Sequence, residues 1–283
     1  MFEKPSSVII LLGWNLEHFL ASCTTLAIPT GVCHTVGVGG HFSGGGYDNL
    51  IWKYGLSVDK IVDAKITGID GKIMDRKIMG EDLFWAIRGG SGASFGVILS
   101  WKIKLVLVPE IVTIFVVDKT TKQGLIDLIY KYQNVATKLP DDLFLRIELS
   151  EPGVYKKTIK VTLIGFFLGK IKGLLKVLEK HLPELGLTPH YCTEMKWIEY
   201  VLFWNAIPTG TSIDILLERV WYGRSYTKSK SNFIKNTILK QGLERIIEKL
   251  VKSGDITMHW NPYGGCMDEI SEHAVPLPQR SGY

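Results

Sequence analysis

Cysteine is scarce in this chain of 283 residues: four occur, at positions 23, 33, 192 and 266, and no two form a CxxC pair. That spread excludes a zinc site made of cysteines alone and gives no sign of a disulfide framework. Long apolar runs are missing too. None reaches the ~18 to 20 residues that a membrane-spanning helix needs. The opening stretch, MFEKPSSVIILLGW, has one lysine, a short apolar centre and no clear small-residue cleavage site. It reads as a buried strand rather than a signal peptide. No Asn-x-Ser/Thr sequon is present, which removes one sign of secretion. Nor does one sign of charge dominate: 33 basic and 28 acidic residues leave +5, scattered along the chain. Such a balance describes a solvated surface and does not point to nucleic acid. Internal repeats and low-complexity tracts are also absent.

Glycine is what the chain does have, in two clusters. One is CHTVGVGGHFSGGGYDNL at 33–50 and the other RGGSGASFG at 88–96. Glycine loses more conformational freedom on folding than any other residue, so a dense cluster implies a use. A dinucleotide fingerprint begun at Gly37-x-Gly39 fails, because Phe42 stands where its third glycine belongs. No Gly-Lys-Ser/Thr triplet occurs, which excludes a P-loop. Two readings stay open from spacing alone: tight turns in a β-rich domain, or two backbone walls around a flat or phosphate-bearing ligand.

Around these clusters the pattern is mixed. Apolar runs on either side of Asp70-Gly71 predict a hairpin over 61–75. Leu83 to Ile87 read as a short helix closed by Gly89, and 95–108 as a strand ended by Pro109. From Glu110 onward the character changes. A strand is expected over 112–117, and Leu125, Leu128, Ile129, Tyr132, Ala136 and Leu139 predict a helix within 123–139. LFLRIEL and TIKVTLIGFF read as strands joined by a turn at Glu151-Pro152-Gly153. Helices are expected over 170–181, 193–204 and 241–252, with a Lys/Ser-rich polar segment at 224–236 between the last two. The fold class is α+β. Its expected division is 1–109, then 110–260, then a return segment at 261–283.

In full context, CHTVGVGGHFSGGGYDNLIWKYGLSVDKIVDA and DGKIMDRKIMGEDLFWAIRGGSGASFGVILSWKIKLV closely resemble the plant berberine bridge enzyme-like family of FAD-linked oxidases. These belong to the vanillyl-alcohol-oxidase-type flavoproteins. The resemblance runs on through LPELGLTPHYCTEMKWIEYVLFW and NPYGGCMDEISEHAVPLPQRSGY, covering the chain from about Ile28 to its end. It implies part of a PCMH-type FAD-binding domain, then a substrate domain whose antiparallel sheet is backed by helices. It also implies a site.

Cys33 stands where the family bonds a cysteine sulfur to C6 of the flavin, chemistry that requires a thiolate in a polar pocket. Without the resemblance, a buried structural cysteine would be the ordinary reading. Gly37, Val38, Gly39, Gly40 and His41 match the stretch lying along FAD, and Ala93, Gly96 and Ile98 match contacts from the second cluster. Most would act through backbone N–H groups. Val36 takes the oxygen-gate position, a plain core valine being the alternative. Tyr47 matches a tyrosine near the flavin that polarises or orients a base, or else a buried structural tyrosine. Glu148 falls on the sheet that roofs the substrate pocket, with an exposed strand glutamate as the alternative. Asn261 matches a substrate-side position. The catalytic residues implied are Tyr47 and Glu148.

The chain departs from the family pattern in places. His34 replaces the usual proline after the cysteine, which would have stiffened that loop. Cys33, His34 and His41 fit no standard zinc spacing, so no metal is expected. The preceding loop with a second, histidine tether is not found. The family's base lies beyond the PQRSG stretch at 278–282, so a chain incomplete at both ends is expected. The activity implied is hydride transfer from a substrate alcohol, or a similar carbon, to FAD, with molecular oxygen as acceptor. An inactive fragment and a small-ligand-binding remnant are the alternatives. The partners implied are a small-molecule substrate and oxygen, with neither nucleic acid nor membrane. Family resemblance implies a secreted, cell-wall or vacuolar location.

Overall fold

The structure, a computed structural model, describes residues 16, 18, 20, 25–33, 36–120, 124–151, 159–218, 226, 228–254 and 256–280. The expected N-terminal strand, His34 and the Pro152-Gly153 turn lie outside the described residues. In chain order the elements are β1 (Leu26–Ala27), α1 (Val38–Ser43), α2 (Ile51–Tyr54), β2 (Ile61–Thr67), β3 (Ile73–Met74), α3 (Arg76–Ile87), β4 (Val97–Ile103), β5 (Val106–Leu107) and β6 (Ile111–Thr120). There follow α4 (Leu125–Val135), β7 (Leu143–Ser150), β8 (Lys160–Phe167), α5 (Ile171–His181), β9 (Cys192–Lys196), α6 (Trp197–Trp204), α7 (Lys240–Ser253) and β10 (Met258–Trp260). They fall into two compact units, each assembled from segments distant in sequence. Unit 1 takes 1–110, 196–231 and 266–280, and unit 2 takes 111–195, 232–265 and 281–283.

In unit 1, β2 pairs antiparallel with both β3 and β4. The turn between β2 and β3 carries Asp70-Gly71, and Gly71 has φ +73, which explains the glycine. Trp101 of β4 meets Phe42 of α1 edge-on, with ring centroids 6.1 Å apart. The first glycine cluster is thereby pinned to this sheet. The third helix, α3, begins seven residues before the expected start at Leu83, because Asp75 caps it by accepting the Ile78 N–H at 3.0 Å. It breaks internally at Gly80, φ +77. Its buried Phe84 lies between the guanidinium groups of Arg76 and Arg88, at 4.2 and 4.4 Å. The single strand expected over 95–108 is two: β4 ends at Ile103, and β5 pairs with β1 instead.

Unit 2 is a five-stranded sheet in the order β10-β7-β8-β6-β9, and the β10–β7, β7–β8 and β8–β6 pairs are antiparallel. Its strands alternate. Phe115, Val117, Leu145, Ile147, Val161 and Leu163 share one core with Leu128, Ile129, Leu174, Leu178, Leu243 and Leu250 from α4, α5 and α7. That arrangement is the helix-backed antiparallel sheet expected from the sequence. Gly165 pairs with both Phe115 and Leu145, and a Cβ on it would fall 1.9 Å from Phe115 Cε1. Gly165→Ala is therefore expected to cost about 1–3 kcal/mol in urea unfolding. An unchanged midpoint would mean that the Phe115 ring shifts without penalty.

One expected helix is shorter than its sequence pattern. The stretch 193–204 starts as strand β9, and α6 begins only at Trp197. Glu199 accepts the Lys196 N–H at 2.8 Å and so caps the helix there. Residues 196–231 also join unit 1 rather than the sheet that precedes them.

Candidate functional site

Cys33 is exposed. Its carbonyl accepts the Val36 N–H at 3.2 Å, just ahead of α1. Three glycines follow whose presence this chain does not itself require. Gly37 has ordinary extended backbone, φ −71 and ψ 138, and Gly39 and Gly40 lie inside α1. A Cβ on any of the three would meet nothing within 4 Å. Other glycines nearby are demanded from within. Gly46 has φ +81, and its Cβ would lie 2.2 Å from Ser57 Oγ. Gly96 has φ +157, and its Cβ would lie 2.4 Å from the Thr67 carbonyl. The Cβ positions of Gly37, Gly39 and Gly40 thus face open space, in the stretch that follows the exposed Cys33.

The second cluster lies against the first. Ser91 donates its N–H to the Ser43 carbonyl at the end of α1, at 3.1 Å. This places Ala93, exposed, and Gly96 and Ile98, half-buried, on the same unit as Cys33. Val36 is 38% exposed, which removes the core-valine alternative. Tyr47 is half-buried, with its hydroxyl oxygen buried. Val38 is buried under α1. His41 points inward: its Nε2 lies 2.8 Å from Ser57 Oγ, and burial lowers its pKa from 6.5 to about 4. The imidazole is neutral at physiological pH and is used within the protein.

Glu148 and Asn261 belong to unit 2, on the sheet face away from the helices. Cross-strand pairing lines up Asp118, Thr162, Glu148 and His259 in one row. Thr162 Oγ1 donates to Asp118 at 2.6 Å, and His259 Nδ1 lies 3.4 Å from Glu148 Oε2. Glu148 is therefore a paired carboxylate. Beside this row, Arg146 Nε donates to Asn261 Oδ1 at 2.5 Å. Sequence reasoning passed over Arg146 and His259. The two-residue period of LFLRIEL was a usable signal for the first, since it puts Arg146 on the face of Glu148. His259 becomes visible only through pairing of β10 with β7.

An exposed thiol and glycines with open space at their Cβ positions make a donor set that fits a flat, polar-edged ring such as a flavin. Among the described residues no helix is long and apolar enough to cross a membrane.

No family model matches the chain. A curated protein of Arabidopsis thaliana, berberine bridge enzyme-like 5, is 50% identical over 264 residues, covering 91% of this chain and 50% of that protein. The chain spans about half the length of the curated relatives it matches. Among solved structures, Phl p 4, a grass pollen allergen with glucose dehydrogenase activity, aligns with a TM-score of 0.89 at 38% identity, covering 96% of this chain and 54% of that one. A variant of berberine bridge enzyme in complex with (S)-reticuline aligns with a TM-score of 0.87 at 34% identity, covering 96% and 54%.

Proposed function

Because this chain belongs to the berberine bridge enzyme-like family of FAD-linked oxidoreductases, we propose that unit 1 holds FAD through the Cys33 sulfur and the open main chain of Gly37, Gly39 and Gly40. The observation carrying this reading is that a Cβ on any of those glycines would meet nothing within 4 Å. Neither their backbone angles nor their packing calls for glycine, whereas close approach of a ligand ring does. Val36, Val38, His41, Ala93, Gly96 and Ile98 complete the wall, His41 through its backbone because its ring is engaged with Ser57. The chemistry FAD supplies when bound is acceptance of a hydride from a substrate carbon, with molecular oxygen as the final acceptor.

The chain's own residues orient and exclude. Val36, with its exposed side chain, is small enough to admit oxygen. Tyr47 presents a phenol that polarises or orients a base. On unit 2, Glu148 and Asn261 hold substrate hydroxyls. Both are already oriented, Glu148 by His259 and Asn261 by Arg146. The substrate on this reading is a small-molecule alcohol. Family grounds also support a secreted, cell-wall or vacuolar location.

A rival reading, a chain that retains no flavin, has its own support. On unit 1, Ile73 and Val97 are 57% and 64% exposed on strands that both pair with β2. Purification separates the two. Flavin that survives acid precipitation is expected in the wild type and absent in Cys33→Ala. Gly40→Ala should be at least as stable as wild type, since alanine favours a helix interior by up to about 1 kcal/mol, yet hold less flavin. A colourless wild type, or a Gly40→Ala protein with full flavin, would sink the proposal.

A further inference from the structure

The segment leading into Cys33 is held at two points. Its Pro29 carbonyl accepts a hydrogen bond from Ser57 Oγ. Two residues on, the Gly31 N–H donates to Asp48 Oδ2 at 3.0 Å. The intervening Thr30 is buried. Both gripping side chains are buried as well, Ser57 at 0% and Asp48 at 7% exposure.

Each grip is tied to a different part of the unit. Asp48 Oδ1 accepts the Leu50 N–H at 2.8 Å, so one carboxylate joins the Cys33 segment to the start of α2. Ser57 Oγ also lies 3.0 Å from the Gly46 carbonyl and 2.8 Å from His41 Nε2. The main chain between the grips admits no slack. Gly31 has φ +87, and a Cβ on it would stand 2.9 Å from the His41 ring. From Gly31 to Cys33 the chain reaches at most about 7 Å. Cys33 itself is exposed, so backbone rather than core packing sets its place.

We propose that Asp48 and Ser57 are positioning residues for the flavin linkage: they grip Pro29 and Gly31 on either side of Thr30 and so set where the Cys33 sulfur stands. The inference rests on the reading of Cys33 as the attachment point. Asp48 serves as a carboxylate. Its Oδ2 accepts the Gly31 N–H and its Oδ1 the Leu50 N–H, and an amide of the same shape would keep one acceptor and turn an NH2 toward the other N–H. Neither residue touches the flavin. Their effect is on the tether's geometry, and its signature is a change in the kind of flavin held.

The experiment compares wild type, Asp48→Asn, Ser57→Ala and Cys33→Ala. It uses far-UV circular dichroism for folding, amide hydrogen exchange over 28–33, and flavin divided into acid-stable and acid-released fractions. In wild type the Gly31 amide should exchange slowly. In Asp48→Asn it should exchange about tenfold faster, as loss of a hydrogen bond to a charged group implies. The acid-stable fraction should fall while acid-released flavin persists, a split that general destabilisation would not produce. Ser57→Ala should show the same split more weakly. Unprotected Gly31 exchange in wild type, a measurement that needs no variant to fold, would overturn the proposal. So would wild-type rates of flavin attachment in both variants. Acid-stable flavin persisting in Cys33→Ala would overturn the attachment reading itself, and this inference with it.

Discussion

Arg280→Met will destabilise unit 1 by about 3–5 kcal/mol, the usual result of stranding one member of a buried ion pair. Arg280 and Asp59 are 3% and 7% exposed at their side chains. The guanidinium meets the carboxylate with both ends, Nη1 to Oδ2 at 2.8 Å and Nη2 to Oδ1 at 3.0 Å. Asp59 Oδ2 accepts in addition the Leu56 N–H at 2.8 Å, which holds the turn into β2. With the guanidinium gone, the carboxylate keeps that one backbone donor and loses its counter-charge in a site closed to water. The double variant Asp59→Leu/Arg280→Met tests the cause. A pair replaced by apolar groups of similar volume is often close to neutral, so the double should recover most of what the single loses. Urea unfolding of the four proteins closes the cycle. Losses that simply add would show that the pair is not coupled, and that Arg280 acts by packing alone.

Asp48→Asn will make the protein more acid-sensitive than the wild type between about pH 6 and 4. His41 is held at about 4 in the fold against 6.5, because burial disfavours its charged form. Asp48 is raised from 3.8 to about 6, again chiefly by burial, with the backbone donors of Leu50 and Gly31 opposing. As pH falls from 6.5 toward 4, the unfolded chain protonates His41 and the folded chain does not, so this histidine removes stability. From about pH 6 down to 3.8 the folded chain protonates Asp48 and the unfolded chain does not, so this carboxyl adds stability. The two windows nearly coincide and the slopes are opposite. With Asp48 removed, the His41 loss is no longer offset, and variant and wild type should diverge by up to about 1.4 kcal/mol per pH unit. The measurement is the difference in unfolding free energy between variant and wild type from pH 7 to 4. Taking the difference cancels His41 and every other group common to both, and leaves the contribution of Asp48 alone. Parallel curves would show that Asp48 does not titrate as its burial implies.

The buried pair beside Gly31 also marks how far residue patterns carry. The helices of unit 2 were legible because Leu125, Leu128, Ile129 and Tyr132 recur at helical spacing, and all four enter the core. Strands β6, β7 and β8 were legible as apolar runs, and β10 was not. The stretch 193–204 was not. An apolar run tells strand from helix poorly, and the boundary depends on Glu199 turning back to the Lys196 N–H. For the candidate site, the two glycine clusters stood out from composition and spacing, and Cys33 only through the family resemblance. His259 and the Asp59–Arg280 pair did not, since nothing local connects residues that pairing or folding brings together across long separations.

The amino-acid order thus determined the class of fold, the family and the segment that carries the sulfur, because each of these is written in spacings of a few residues. Tertiary structure alone decided which glycines the protein needs for itself. Gly46 and Gly96 are filled against Ser57 and Thr67, and Gly37, Gly39 and Gly40 face open space. The reason is physical: a missing side chain has meaning only through the atoms that would have met it, and those atoms come from elsewhere in the chain.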